Sequence, residues 1–493
     1  MRHRVWLLLA LLLGALLRGA GLFSVPPGPN VDEISNAIDA HCIWETGKDR
    51  HGTFLPLYLR AFDDYREGIF VLAATPLSVI ITPWKGLRIL SFAIGMITIV
   101  VTYGAVHRII GPRAAIWGAF FIATDPQHVL WSRVGMEVIL VPLGVAATWW
   151  SLSFFGTRPV TALLGAVGAL LLTVYSGMMG KSAAAIMFVA SMFVSPGWLQ
   201  AIRRSLGPMS VVLILLFLGL IPAWWSVLSP EATARFAEIK DEDASGVNPW
   251  TNRAVRAATY WSPTYLIAPY SEGLPDFPLA SKMGYAEWVC LMVGAGSLIL
   301  RPWKVWNLSL LIAAILSVVP AAFTSTIAPS RVFFALPVLV IIMAQGTELL
   351  FRWWGSRITT ILLTSGVGVT TVLISYDLTF RLNEHLSTFF WRDAALAVER
   401  LHSSPGDTKF VDAQIPFIPE EVIHVTRAPI QEYQGKIHHV VANEIPIGGL
   451  TLILPRPRVF PPGSLLLTWR EQPTPPGELI FETGRFKIVE FPK

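Results

Sequence analysis

The sequence predicts an α-helical polytopic membrane protein of about 11 transmembrane helices, with juxtamembrane helices in its first outer loop and a small soluble α/β domain at its C-terminus. Composition is the first reason: 53% of the 493 residues are hydrophobic and only 14% charged, with mean hydropathy +0.55. A soluble globular protein carries about 25% charged residues. The second is a series of apolar stretches near 5–23, 88–106, 114–131, 134–155, 160–176, 181–196, 208–228, 283–300, 305–323, 332–350 and 357–376. Each is close to the roughly 17–25 residues that cross a hydrocarbon layer as a helix. The third is the placement of the basic residues, which fixes a single orientation for all of these stretches.

The first stretch follows Arg2, His3 and Arg4 and has the look of a signal peptide. Ten further stretches behind it make an uncleaved anchor the better reading. Residues 66–83, REGIFVLAATPLSVIITP, are apolar but short and carry Pro76 and Pro83. If this segment lies along the outer surface, the inner loops hold Arg2, Arg4, Arg108, Arg113, Arg158, Arg203, Arg204, Arg301, Lys304, Arg352 and Arg357, and no Asp or Glu. If it crosses, that whole basic set faces outward, against the positive-inside rule. It is therefore expected to be an interfacial element. The N-terminus is then cytoplasmic, and the C-terminus extracytoplasmic, at the plasma (inner) membrane.

Three segments face outward in this topology: the loops 24–87 and 229–282, and the tail 377–493. The chain divides into a transmembrane domain, 1–376, and a soluble domain, 377–493. The tail opens on the helix-like STFFWRDAALAVERLH and continues in β-rich runs: TKFVDAQI, EVIHVT, GLTLIL, SLLLTW and FKIVEF. It carries no catalytic motif. The 19 Trp and 27 Phe exclude a disordered linker. Net charge +5 with pI near 9.2 is explained by the short basic loops, so no nucleic-acid partner is expected. Cys42 and Cys290 form neither a disulfide framework nor a thiolate metal site.

Charged groups inside a membrane are costly and are usually paired or functional. Arg18, Arg88, His128, Arg133, Glu137, Lys181, Glu287 and Arg331 all fall near the outer ends of their stretches; Glu348 alone lies toward the inner end. A transporter would place such groups at mid-depth, whereas this layer describes a one-sided outer site. Interfacial snorkelling accounts for a single arginine, but not for Asp32, Glu137 and Glu287 in the same layer. Asp32 and Glu33 follow the first span and open a stretch with Ile34, Ala37, Ile38 and Cys42 at helical spacing. Asp32 stands at or near that helix's start, as a dipole-stabilised carboxylate or simply as the N-cap. Asp63, Asp64 and Glu67, with His41 and His51 in the same loop, offer metal-type donors without tight ligand spacing, and a solvated acidic loop is the competing reading. In WSRVGME, Arg133 and Glu137 are four apart, on one helical face, as either site residues or an intrahelical ion pair. Arg331, in APSRVFFALP, sits where a guanidinium could grip a phosphate, or anchor at the interface.

These residues carry a resemblance. Asp32-Glu33 after the first span, GKDRHGTFLPLYL, GLRILSFAIG, WSRVGMEVILVPL, YWSPTYLIAPYSEG and APSRVFFALPVLVIIMAQG, in that order over roughly residues 1–350, resemble the C-type glycosyltransferases. Similar are bacterial relatives of the protein O-mannosyltransferases and of the aminoarabinose transferases that modify lipid A. The resemblance implies an inverting enzyme that takes a sugar (hexosyl or pentosyl) from a polyprenyl-phosphate carrier at the outer face. It implies a general base, or orienter of the acceptor, at Asp32, and a supporting role at Glu33. It implies an active-site arginine at Arg88 and a lipid-phosphate ligand at Arg331. Partners would be the lipid-linked donor, membrane lipids and an acceptor: protein, lipid A or glycan. A divalent metal is the one cofactor implied, with Glu67 the counterpart of a metal-binding glutamate. The companion histidine of the later loop has no match, since 229–282 contains no His. Two other classes compete: a transporter or flippase for a lipid-linked or small solute, and an assembly protein acting through its tail.

Overall fold

The computed structural model describes residues 2–61, 64–194, 206–228, 248–267, 283–324, 327, 329–381, 392–405, 408–412, 422–424, 426, 428–434, 445–447, 449–453, 464–469, 478–482 and 486–491. The loop sequence RFAEIKDEDASG, the end of the YWSPTYLIAPYSEG segment, and Asp63 lie outside the described residues.

Helices dominate up to residue 381. The first is α1, Arg2–Gly19; α2, Val31–Thr46, begins the outer excursion. A hairpin follows, β1 (Tyr58–Ala61) against β2 (Asp64–Glu67), with Tyr58 opposite Glu67 and Leu59 opposite Arg66. Then come α3 (Ile69–Ala74) and α4 (Leu77–Ile80). With six and four residues, these are far below the ~20 needed to cross a bilayer. The 66–83 segment thus holds the end of β2 and two short helices in place of one long one, with Phe70, Val71 and Ala74 buried in the main core.

The apolar helices come next: α5 (Pro83–Ile109), α6 (Pro112–Ala123), α7 (Pro126–Trp131), α8 (Leu140–Leu152), α9 (Pro159–Val174), α10 (Met178–Ser191) and α11 (Leu206–Leu228). After α12 (Pro249–Tyr260) and α13 (Pro263–Ile267) follow α14 (Tyr285–Leu300), α15 (Asn307–Ser317), α16 (Val319–Ala322) and α17 (Leu336–Tyr376). Among the described residues, two stretches are long and apolar enough to cross a membrane on length and composition, Pro83–Ile109 and Ser330–Arg381; most of the other apolar helices run 10–17 residues. Local chemistry sets those lengths. The expected 114–131 helix divides at Thr124–Asp125, where Asp125 caps α7 by accepting from His128 N at 2.7 Å and Pro126 takes the first helical position. The last two expected helices join into α17 across Gly355, whose φ of 76° is non-helical.

The C-terminal region holds α18 (Arg392–Ser403), α19 (Ile430–Tyr433) and six strands: β3 (Lys409–Asp412), β4 (Ile445–Ile447), β5 (Leu450–Ile453), β6 (Leu465–Trp469), β7 (Glu478–Glu482) and β8 (Phe486–Glu490). They form one mixed sheet in the order β4-β5-β3-β6-β8-β7, with β3 parallel to both β5 and β6. Of the expected strands, EVIHVT differs: residues 422–424 are helical, burying Val422 and Ile423 against the sheet's core. That core also takes in Ile34, Ile38 and Cys42 of α2. The amphipathic face read from the first loop is thus covered by the chain's far end.

Buried arginines tie the start of the chain to the bundle. Arg18 donates to the carbonyls of Ala123 (2.7 Å) and Ile122 (2.9 Å), satisfying backbone freed by the α6–α7 break. Arg133 donates to the carbonyls of Leu17, Arg18, Ala20, Gly21 and Val25, capping the exit of α1. Arg88 of α5 grips Glu33 bidentately, Nε to Oε1 at 2.8 Å and Nη2 to Oε2 at 3.0 Å, and its remaining donors meet the carbonyls of Leu22, Pro26 and Gly28. Both side chains of this pair are fully buried. Removing one partner of such a pair typically costs ~3–5 kcal/mol, because a charge is left buried alone. Arg88→Leu is therefore expected to lower the melting temperature sharply, and Arg88→Leu with Glu33→Leu to recover part of it. A single variant melting like wild type would contradict this.

Candidate active site

The site is assembled at the head of α2. Asn30 is the N-cap: its Oδ1 accepts from Glu33 N at 2.7 Å, and Glu33 Oε2 accepts from Asn30 N at 3.0 Å, a reciprocal capping box. The capping reading of Asp32 is thereby corrected; it stands in the first turn, half-buried, where the helix dipole favours its charge. Glu33 also accepts from Gly135 N at 2.7 Å. With Arg88 on its other side, Glu33 is enclosed by protein donors, and its function is visible as geometry: it fixes the angle at which α2 leaves the 20–30 turn.

On the same side of α2 as Asp32 lie Ser35 and Asp39. Asp39 faces Arg50 (3.6 Å) and Arg66 (3.5 Å) with its side chain fully buried. Arg66 of β2 also donates to Ser35 Oγ and, at 3.5 Å, to the carbonyl of Asp32. Its Nε is buried with no partner among the described residues. Beside Arg66 in the hairpin, Glu67 meets the ammonium of Lys181 at 2.5 Å. Lys181 is in the first turn of α10, whose N-cap is Gly177 with φ 107°. A Cβ at that glycine would touch Glu137 Cγ (3.7 Å) and Glu67 Oε2 (3.9 Å), so the three positions are contiguous. The hairpin, α2 and the turn ahead of α8 thus bring Asp32, Arg66, Glu67, Glu137 and Lys181 together.

Arg133 and Glu137 do not share a helical face. Residues 132–136 leave the helix, and Glu137 opens a short 3-10 turn, Glu137–Ile139, ahead of α8. Gly135 is the cause: a Cβ there would stand 2.5 Å from Leu87 Cβ, and its N–H is taken by Glu33. The ion-pair reading is corrected accordingly. Arg133 spends its donors on carbonyls one layer below, whereas Glu137 joins the cluster. Arg331 stands apart in the turn Pro329–Ala335, which packs against α8 and α10, and donates to Thr324 Oγ1 beside Arg256. Glu287 lies in another niche, lining a small cavity with Asp125.

Below Lys181 an apolar groove of about 270 Å3 runs between α9, α10 and α11, walled by Leu170, Val174, Phe188, Leu216, Leu220 and Trp224. Among the described residues, Lys181 is the one charged side chain in its lining. Two tyrosines tie α11 to the cluster: Tyr58 donates to the carbonyl of Pro222 (3.1 Å) and Tyr175 to that of Gly219 (2.6 Å). A metal fits this donor set poorly. Among the described residues, no group of three or more His, Cys, Asp or Glu is arranged to hold one, and Glu67 faces an ammonium.

No protein-family model matches the sequence, and no curated protein sequence matches it. Solved structures do. ArnT from Cupriavidus metallidurans superposes over 99% of this chain and 97% of its own, in the apo state (TM-score 0.60, 12% identity) and bound to undecaprenyl phosphate (TM-score 0.61, 14% identity). This chain has the ArnT fold. The Archaeoglobus fulgidus oligosaccharyltransferase in complex with Zn and sulfate is also similar (TM-score 0.54, 14% identity), over 85% of this chain and 61% of that one. At such identities the likeness is one of fold, and it spans both the helical region and the C-terminal sheet.

The sequence places Lys181 among the charged groups at the ends of the apolar stretches but does not show its pairing with Glu67; a lysine in the otherwise apolar GMMGKSAAAIM was the available signal. Arg66 and Asp39 had no local signal, because their partners come from separate elements.

Proposed function

We propose that the chain is an integral-membrane, inverting glycosyltransferase that moves a sugar from a polyprenyl-phosphate carrier to an acceptor hydroxyl at the outer face. The observation that carries this is a carboxylate, Asp32, held in the first turn of α2 where Arg66 reaches its backbone carbonyl, while Glu67, the hairpin neighbour of Arg66, holds the ammonium of Lys181 at the edge of an apolar groove, within the ArnT fold. The apolar helices are taken as the membrane spans, with the first outer loop and the C-terminal sheet on the extracytoplasmic side.

A sugar linked through phosphate to a lipid already has a good leaving group, so the protein has two tasks. Asp32 accepts the proton of the acceptor hydroxyl as its oxygen attacks the anomeric carbon. The bond from that carbon to the phosphate oxygen breaks, and its electron pair leaves with the carrier phosphate. A single displacement inverts the centre. Lys181 has three N–H donors; one holds Glu67, and the others are available for the departing phosphate, whose growing charge it offsets. Arg66, whose Nε has no partner among the described residues, supplies a second positive group. The isoprenoid tail lies between α9, α10 and α11. Arg331, expected from the resemblance to hold the phosphate, is the second candidate for that contact. Glu33, Arg88 and Arg133 serve by holding Asp32 in place. No step requires a metal.

Purified protein incubated with polyprenyl-phosphate sugars should release polyprenyl phosphate. Asp32→Asn should abolish release while carrier binding persists; near-normal turnover would remove Asp32 from the mechanism. Lys181→Ala should weaken binding of polyprenyl phosphate about tenfold or more, roughly the 1–3 kcal/mol of a charge-assisted contact. Unchanged affinity there, with a loss in Arg331→Ala, would move the phosphate contact to Arg331.

A further inference from the structure

A second, larger cavity of about 860 Å3 lies on the opposite side of α2. Its α2 lining is Ala37, Ile38 and His41; at ~100° per residue these lie about 140°, 240° and 180° around the axis from Asp32. Ser35 and Asp39 point to the Arg50–Arg66 side, so α2 separates this cavity from the candidate active site. The other walls are the start of α5, with Trp84 and Lys85, and the C-terminal region, with Glu399, His402 and His424.

We propose that this cavity binds the anionic, phosphate-bearing headgroup of a membrane amphiphile. The polar lining supports it: among the described residues it holds one lysine, one glutamate and three imidazoles, His41, His402 and His424. Lys85 is half-buried and forms no ion pair among the described residues; its ammonium sits 5.4 Å from the Phe23 ring centroid and 5.6 Å from that of Trp84. Nδ1 of His41 is buried with no hydrogen-bond partner among the described residues. A buried polar nitrogen from the α2 wall and a half-buried cation from the α5 wall, lining one cavity, both call for an acceptor that the described residues do not supply. Depth supports it too. Phe23 and Trp84 form an edge-to-face pair at 6.2 Å beside a lysine, the combination found at membrane–water interfaces. One turn away, Val79 and Ile80 of α4 are 48% and 75% exposed, an apolar ledge along which an acyl chain can lie. The inference rests on the membrane placement but not on glycosyl transfer.

The test uses the full chain in a non-ionic detergent, titrated separately with short-chain phosphatidylglycerol, short-chain phosphatidylcholine and inorganic phosphate. Phosphatidylglycerol should bind saturably, at least about tenfold tighter than the other two. Lys85→Gln should weaken it by a similar factor. Glu399→Gln, on an exposed helix face, should tighten it severalfold, which keeps the test decisive if the lysine variant folds poorly. Asp32→Asn should bind like wild type, separating this site from the transfer reaction. Equal affinity for phosphatidylcholine, equal affinity for inorganic phosphate, or unchanged affinity in both charge variants would overturn the proposal.

Discussion

The buried carboxylate of Glu33 is the constraint on which the rest depends. A charge without water must be met by donors on every side, and Glu33 is met by Arg88 from α5, Gly135 N from the turn ahead of α8, and Asn30 N from its own cap. One side chain therefore fixes three elements relative to each other. Because Asp32 is its chain neighbour, the carboxylate proposed to react inherits that rigidity without spending its own hydrogen-bonding capacity on it. Arg88 and Arg133 extend the lock by satisfying the carbonyls of the 17–28 segment, whose backbone is not helical throughout and would otherwise be buried unsatisfied.

Helix α2 then acts as a partition. One face presents Ser35 and Asp39 to two arginines, and the other gives Ile34, Ile38 and Cys42 to the core of the C-terminal sheet. Gln434 adds a direct tie, donating to Thr46 Oγ1 at 3.0 Å and to the carbonyl of Asp49 at 2.9 Å. The C-terminal region is accordingly part of what orients the candidate site, and not a passive appendage. Glu348 of α17 pairs with Arg113 of α6 at 2.6 Å and lies 3.6 Å from Arg352.

Much of this was legible in the sequence because it is local. The apolar stretches, the absence of one long helix over 66–83, and the amphipathic pattern of 34–42 each follow from composition and spacing within one segment. So did the α6–α7 break in principle, since Asp125-Pro126 is a cap followed by a first-position proline. What was not legible depends on close approach between distant segments. Helical spacing of Arg133 and Glu137 failed because Gly135 is pressed against Leu87. Glu33 and Arg88 read as site residues because a buried structural carboxylate and a functional one have the same letters; only their partners distinguish them. The helix within EVIHVT has the same origin, its β-branched residues being placed by burial against the sheet and not by propensity.

The central claim is that a lipid carrier lies in the groove beneath Lys181, with its phosphate brought to Asp32. The most direct measurement is photo-cross-linking of the full chain with a polyprenyl phosphate carrying a photoreactive group in its first isoprene units, followed by peptide mapping. The account predicts labelling within residues 170–188 and 216–224, suppressed by excess unlabelled polyprenyl phosphate. Competed labelling confined to other helices would contradict it.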